Sequence, residues 1–120
     1  STITAIDMNE GEILWQVANG DSAARVENNP ALQGIDLPPL GGGGRHPVLV
    51  TFTLLIHVQN TSDGPKLIAR NKLNGEELAA IEIPGNATAA PMSFSVEDTQ
   101  YIALSVTGQP APELIVYALP

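Results

Sequence analysis

Two stretches of this chain, 64 residues apart, carry matching residues at matching spacing. Ala5, Asp7, Gly11, Glu12 and Leu14 fall on Ala69, Asn71, Gly75, Glu76 and Leu78. The middle of each stretch is a turn, "MNEGE" in the first and "KLNGE" in the second. Glycine enters a positive-φ turn without strain, and an Asp or Asn can bond back to the backbone N–H groups of the turn. The flanks alternate at the period of a strand, with Ile3 and Ala5 set against Thr2 and Thr4. Each stretch therefore reads as a β-hairpin. A hairpin that recurs with the same turn chemistry implies a sheet that recurs, and this limits the architecture more than any other feature of the chain.

Four strands fill the interval and the region beyond it. "VLVTF", "LLIHVQN", "KLIARN" and "ELAAIEIP" are separated by short turn signals. Three more follow, "MSFSVE", "QYIALSVT" and "LIVYALP", which gives nine in the order two, four, three. The class is all-β. Four-stranded sheets repeated with periodic turn motifs predict a partial β-propeller of a little over two antiparallel blades. Eleven glycines and ten prolines agree with many turns and few long helices. The expected organisation is one unit over 1–120. Residues 1–18 form the hairpin of one blade, and 19–47 a long irregular connection broken by "NNP", "LPPL" and "GGGG". Residues 48–84 form a complete blade, and 85–120 a closing blade without its outer strand. A connection as long as 19–47 is often functional.

Charge and composition exclude several function classes. The formal net charge is −8, which repels nucleic-acid phosphates. With no cysteine there is no disulfide and no thiolate metal site. "PVLVTFTLLIHV" is far short of the roughly 20 apolar residues of a membrane helix and is rich in β-branched residues, so it reads as buried strand. "GGGG" is not a phosphate loop, because no Lys-Ser/Thr follows it. Two Asn-x-Ser/Thr sequons, at Asn60 and Asn86, fit a pattern too common to carry weight.

Ala5-x-Asp7-x-x-x-Gly11-x-x-x-Trp15 resembles the tryptophan-docking motif of the quinoprotein dehydrogenases, propellers that bind pyrroloquinoline quinone (PQQ). Small Ala5 leaves room for a neighbouring blade, and Trp15 supplies a flat face to stack between blades. The later segments "LIARNKLNGEELAAIEIP", "AAPMSFSVEDTQYIALSVTG" and the final "YALP" resemble, in this order, the carboxyl-terminal end of the glucose and alcohol type. The second motif departs from the pattern, with Ala79 in place of Trp and Asn71 in place of Asp. The resemblance implies the closing blades of a PQQ-dependent sugar or alcohol dehydrogenase, with calcium beside the quinone in the full-length enzyme and a bacterial periplasmic location. It supplies no position here for a catalytic residue or a metal ligand. No cofactor is expected on the chain alone, which is expected to be inactive in isolation. The alternative is a non-catalytic PQQ-repeat propeller that serves as a protein-binding scaffold.

Among single residues, Asp7 reads as a turn cap, and Glu12, Glu76, Glu77, Glu97 and Asp98 as turn and edge charges. His57, in an apolar strand, reads as a packed or edge residue. Arg45 and His46 are the candidate cofactor-binding residues. They follow "GGGG" just before a strand that a propeller would turn toward its central channel, and Arg45 could meet a quinone carboxylate in a bidentate pair. A surface linker tip is the competing reading. The expected partners are the remaining blades of the parent protein and further copies of the chain, recruited through open strand edges. Leu14, Trp15, Ile102 and Leu104 are the apolar residues expected to be exposed on the blade faces.

Overall fold

The computed structural model describes residues 1–44 and 46–119. Nine strands form three antiparallel sheets. The first pairs β1 (Thr2–Asp7) with β2 (Glu12–Ala18). The second runs β3 (Val48–Val50), β4 (Leu54–Thr61), β5 (Gly64–Asn71) and β6 (Glu77–Glu82) in spatial order. The third runs β7 (Met92–Val96), β8 (Thr99–Val106) and β9 (Glu113–Ala118). The chain is all-β with a two-, four- and three-stranded sheet, as the strand count and the repeat predict.

The two copies of the repeat share their turn and its irregularities. Asp7 O accepts from Gly11 N at 2.8 Å, and Asn71 O accepts from Gly75 N at 2.9 Å. The two glycines have φ of 72° and 75°. Asp7 Oδ1 accepts from the N–H groups of Asn9 and Glu10, and Asn71 Oδ1 from that of Leu73. Each hairpin shifts register at the same place, between Ala5 and Ile6 and between Ala69 and Arg70. Such a bulge re-aims the residues beyond it. Before the bulge, Ala5 pairs with Trp15 and Ala69 with Ala79. The third sheet turns differently. Glu97 and Asp98 both have positive φ, 46° and 63°, between Val96 and Thr99, the conformation of a two-residue hairpin.

The 19–47 segment is less irregular than its sequence suggests. It contains one helical turn, α1 (Ala24–Glu27), and a 3-10 turn at Pro30–Leu32 whose Asn29 side chain caps Ala31 N. Its two ends are tied to each other, and one end also to the β4–β5 turn. Gly42 N donates to Asn19 O at 2.9 Å, and Asp21 Oδ2 accepts from Ser62 N in the β4–β5 turn at 2.7 Å.

The core lies between the second and third sheets. Ile56, Val58 and Leu67 face Ile102, Leu104 and Val106, with Ile83 at the margin. Ile102 and Leu104, expected on an exposed blade face, are 2% and 1% accessible. The reason is register. Ile102 pairs with Tyr117 and Leu104 with Ile115, so this parity of β8 and β9 turns toward the second sheet. The opposite parity, with Met92, Phe94, Val96, Leu114 and Val116, is the open apolar face. Leu14 is exposed as expected, whereas Trp15 is half-buried. Three sheets side by side make a flat body of 56 × 47 × 20 Å with a radius of gyration of 16.1 Å. A compact chain of this length would have roughly 14 Å.

Candidate functional site

The first joint between sheets is built by Trp15. Its indole Nε1 donates to Lys72 O at 3.0 Å, 57 residues away in the β5–β6 turn. Its ring lies directly on Gly75: a Cβ at that position would come within 2.7 Å of Cε3. Gly75 thus serves twice, for its positive φ and for the close approach of the indole. Gly11, its counterpart in the first hairpin, has open space at the same position.

Beneath that turn lies a charged cluster. On β4 and β5, Leu55, His57, Ile68 and Arg70 share the face opposite the core residues, on the side where Trp15 and Asn19 reach across from the first hairpin. His57 is fully buried and Arg70 is 8% accessible. Arg70 Nε donates to His57 Nε2 at 3.1 Å, Nη1 to Gly75 O at 3.1 Å, and Nη2 to Glu77 Oε2 at 3.0 Å. Because Nε2 accepts, the ring proton is assigned to Nδ1, which has no hydrogen-bond partner among the described residues. Burial first, and then the Arg70 guanidinium, lowers the His57 pKa from 6.5 to about 4. His46 adds to the lowering, and the Val58 backbone, close by but outside hydrogen-bonding geometry, offsets part of it. The sequence reading of His57 as a packed residue holds, but it missed Arg70. The two residues sit two register steps apart across the β4–β5 pair, where long side chains meet diagonally, and that register carries no signal in the sequence.

The candidate cofactor-binding pair is only partly in view. Arg45 lies outside the described residues. His46 Nε2 is 3.1 Å from Gly43 O, and its ring lines a cleft of about 490 Å³ with Pro47 and residues Ala87 to Ala90. This cleft forms where the segments entering β3 and β7 run side by side. Thr88, its one hydroxyl, is held by Ser105 through Oγ at 2.8 Å. Arg45, the cation the sequence offers for a carboxylate, is not among the described lining, which is otherwise small and apolar beside His46 and Thr88. Among the described residues there is also no group of three or more His, Asp or Glu that could hold a metal. A larger cavity of about 720 Å³ lies against the 19–47 segment, with Asp21 and Glu27 in its lining, and it disfavours anions. Asp7, spent on its own turn, is not part of either cleft. No helix is long and apolar enough to cross a membrane among the described residues.

A family model described as the β-propeller domain of glucose/ethanol/alcohol dehydrogenase, PQQ type, matches residues 1–102. The quinoprotein glucose dehydrogenase of Escherichia coli (strain K12) is 29% identical over 127 aligned residues, which cover 98% of this chain and 15% of that protein. The glycerol dehydrogenase large subunit of Gluconobacter thailandicus is 32% identical over 130, covering 98% and 16%. Quinoprotein glucose dehydrogenase A of Acinetobacter calcoaceticus is 28% identical with similar coverage. No solved structure matches significantly. The chain spans about 15% of the length of these relatives. With most of its length matched by the family model and its hairpins carrying the repeat, the chain belongs to the β-propeller-domain family of the PQQ-type glucose, ethanol and alcohol dehydrogenases.

Proposed function

We propose that this chain supplies blades to a PQQ-dependent sugar or alcohol dehydrogenase of the bacterial periplasm, and that its first hairpin, the 48–84 sheet and the 85–120 sheet are successive blades of that propeller. The observation that carries this reading is the Trp15 joint, in which a strand of one sheet docks on the β5–β6 turn of the next. Trp15, the last residue of the Ala5–Trp15 motif, lies at a sheet-to-sheet contact, which supports a docking role for that motif. PQQ, with calcium, is held chiefly by residues of the parent protein outside these 120, with Arg45 and His46 as the cofactor-facing candidates of this chain, and the chain alone turns over neither glucose nor ethanol. Its own contribution is mechanical: it seats neighbouring sheets so that the propeller can position the cofactor and substrate. The open apolar face of the third sheet favours association with further blades or with a second copy.

A second reading is a non-catalytic scaffold, and the observation in its favour is the open apolar face of the third sheet, a surface suited to a protein partner. A chimera separates the two. Residues 1–120 replace the aligned stretch of the Escherichia coli glucose dehydrogenase, and quinone-dependent glucose oxidation is measured. Activity in the chimera supports the enzyme reading. A folded chimera that binds PQQ but does not oxidise glucose supports the scaffold.

A further inference from the structure

The two copies of the repeat differ just beyond the bulge. In the first hairpin, Ile6 pairs with Ile13; in the second, the same place holds Arg70 and Glu77. An apolar pair has become an ion pair, and the guanidinium has been drawn inward to His57. Its third bond, from Nη1, ends on the carbonyl of Gly75, the residue on which the Trp15 ring rests. Lys72 O, in the same turn, takes the indole N–H. Side chains from β4, β5 and β6 therefore converge under the turn that receives the first sheet.

This arrangement depends on one lone pair. Arg70 Nε–H requires an acceptor, and His57 Nε2 is an acceptor only in the neutral ring. A second proton on the ring would put N–H against N–H and a positive charge against a guanidinium inside a buried cluster. The surroundings give little relief. The titratable or charged groups that face His57 are Arg70 from β5, Glu77 from β6 on the far side of Arg70, and His46 from the segment before β3. β3 places Val48 opposite His57. On the first hairpin, Ile3, Ala5 and Val17 share the face of Trp15 and carry no charge, and Asn19, also buried, is neutral.

We propose that His57, Arg70 and Glu77 form an acid-sensitive latch: with His57 neutral, Arg70 holds the Gly75 carbonyl and the turn on which Trp15 seats the first sheet, and protonation of His57 displaces the guanidinium and unseats Trp15. The proton comes from solvent and is taken up by Nε2; no other bond is made or broken covalently. The joint opens near the pH at which His57 titrates, about 4, while the strands themselves stay paired.

Trp15 is the sole tryptophan, so its emission reports the joint directly. Acrylamide quenching is followed on the 120-residue chain from about pH 7 to about pH 3, with far-UV circular dichroism for the strands and NMR for the His57 ring protons. The expected result is a several-fold rise in quenching that coincides with His57 titration while the dichroism holds. His57→Gln, whose amide oxygen can accept from Arg70 but does not titrate, removes the step. Glu77→Gln keeps it, which separates the latch from carboxylate titration. Flat quenching through pH 3, an unchanged step in His57→Gln, or a step lost only in Glu77→Gln would overturn the proposal. Should His57→Gln fail to fold, the unsubstituted chain decides: His57 titrating with no change at the Trp15 indole proton refutes the latch.

Discussion

Replacing Gly75 with alanine, and Gly11 with alanine as its partner experiment, isolates what the Trp15 joint contributes. Both glycines occupy the same turn position at nearly the same φ, 75° and 72°. An L-residue forced into that conformation costs about 1–2 kcal/mol, and this term is common to both variants. Only at Gly75 does the new methyl meet anything. It would lie 2.7 Å from Trp15 Cε3 and 2.8 Å from Cδ2, whereas nothing lies within 4 Å at Gly11. Carbon atoms prefer about 3.5–4.0 Å, so the ring must retreat by roughly 1 Å. The atoms it meets belong to the root of a stiff ring system, and a turn of a flexible tail cannot relieve the contact. That retreat breaks the 3.0 Å bond to Lys72 O, a net loss of about 1 kcal/mol. It also re-exposes on the order of 100 Å² of apolar indole surface, about 2 kcal/mol more. Gly11→Ala should therefore cost about 1–2 kcal/mol and Gly75→Ala about 4–5 kcal/mol. Urea unfolding followed by far-UV circular dichroism measures both, and acrylamide quenching of Trp15 reports whether the ring has left. Trp15→Ala placed on top of Gly75→Ala should add almost nothing, because the joint is already gone. Equal costs for the two glycine variants, or full additivity with Trp15→Ala, would refute the reasoning.

Three further outcomes are expected. Global stability should fall as pH drops from 6.5 toward about 4. The unfolded His57 binds a proton there that the folded ring refuses, so stability present above 6.5 is lost by up to about 3 kcal/mol, and His57→Gln should flatten this slope in urea titrations at several pH values. Leu104→Ala empties a core position and should cost about 2–5 kcal/mol by thermal unfolding. Light scattering after size exclusion, across a dilution series, should find a homo-oligomer that Val116→Lys shifts toward monomer; a monomer mass at every concentration would refute it.

The strands were legible because their signal is local. Alternation, turn residues and the 64-residue repeat are written in short windows, and no tertiary contact was needed to place Gly11, Gly75 or the Asp7 cap. The resemblance to the docking motif implied that Trp15 stacks between blades. What it touches was decided by the tertiary structure: Lys72 O and the bare face of Gly75 are a backbone oxygen and a missing side chain, neither of which has a pattern of its own. The two faces of β8 show the same limit. Alternation established that Ile102 and Leu104 lie together, but which parity meets the second sheet depends on how the sheets stack, and they were expected on the wrong side. Arg70 went unread for a related reason. A charged residue in a strand signals an edge or a solvated face, unless a partner from another strand is fixed in register against it. That register, which sets His57 diagonally across from Arg70 and the Gly75 carbonyl within its reach, exists only once β4, β5 and β6 have paired.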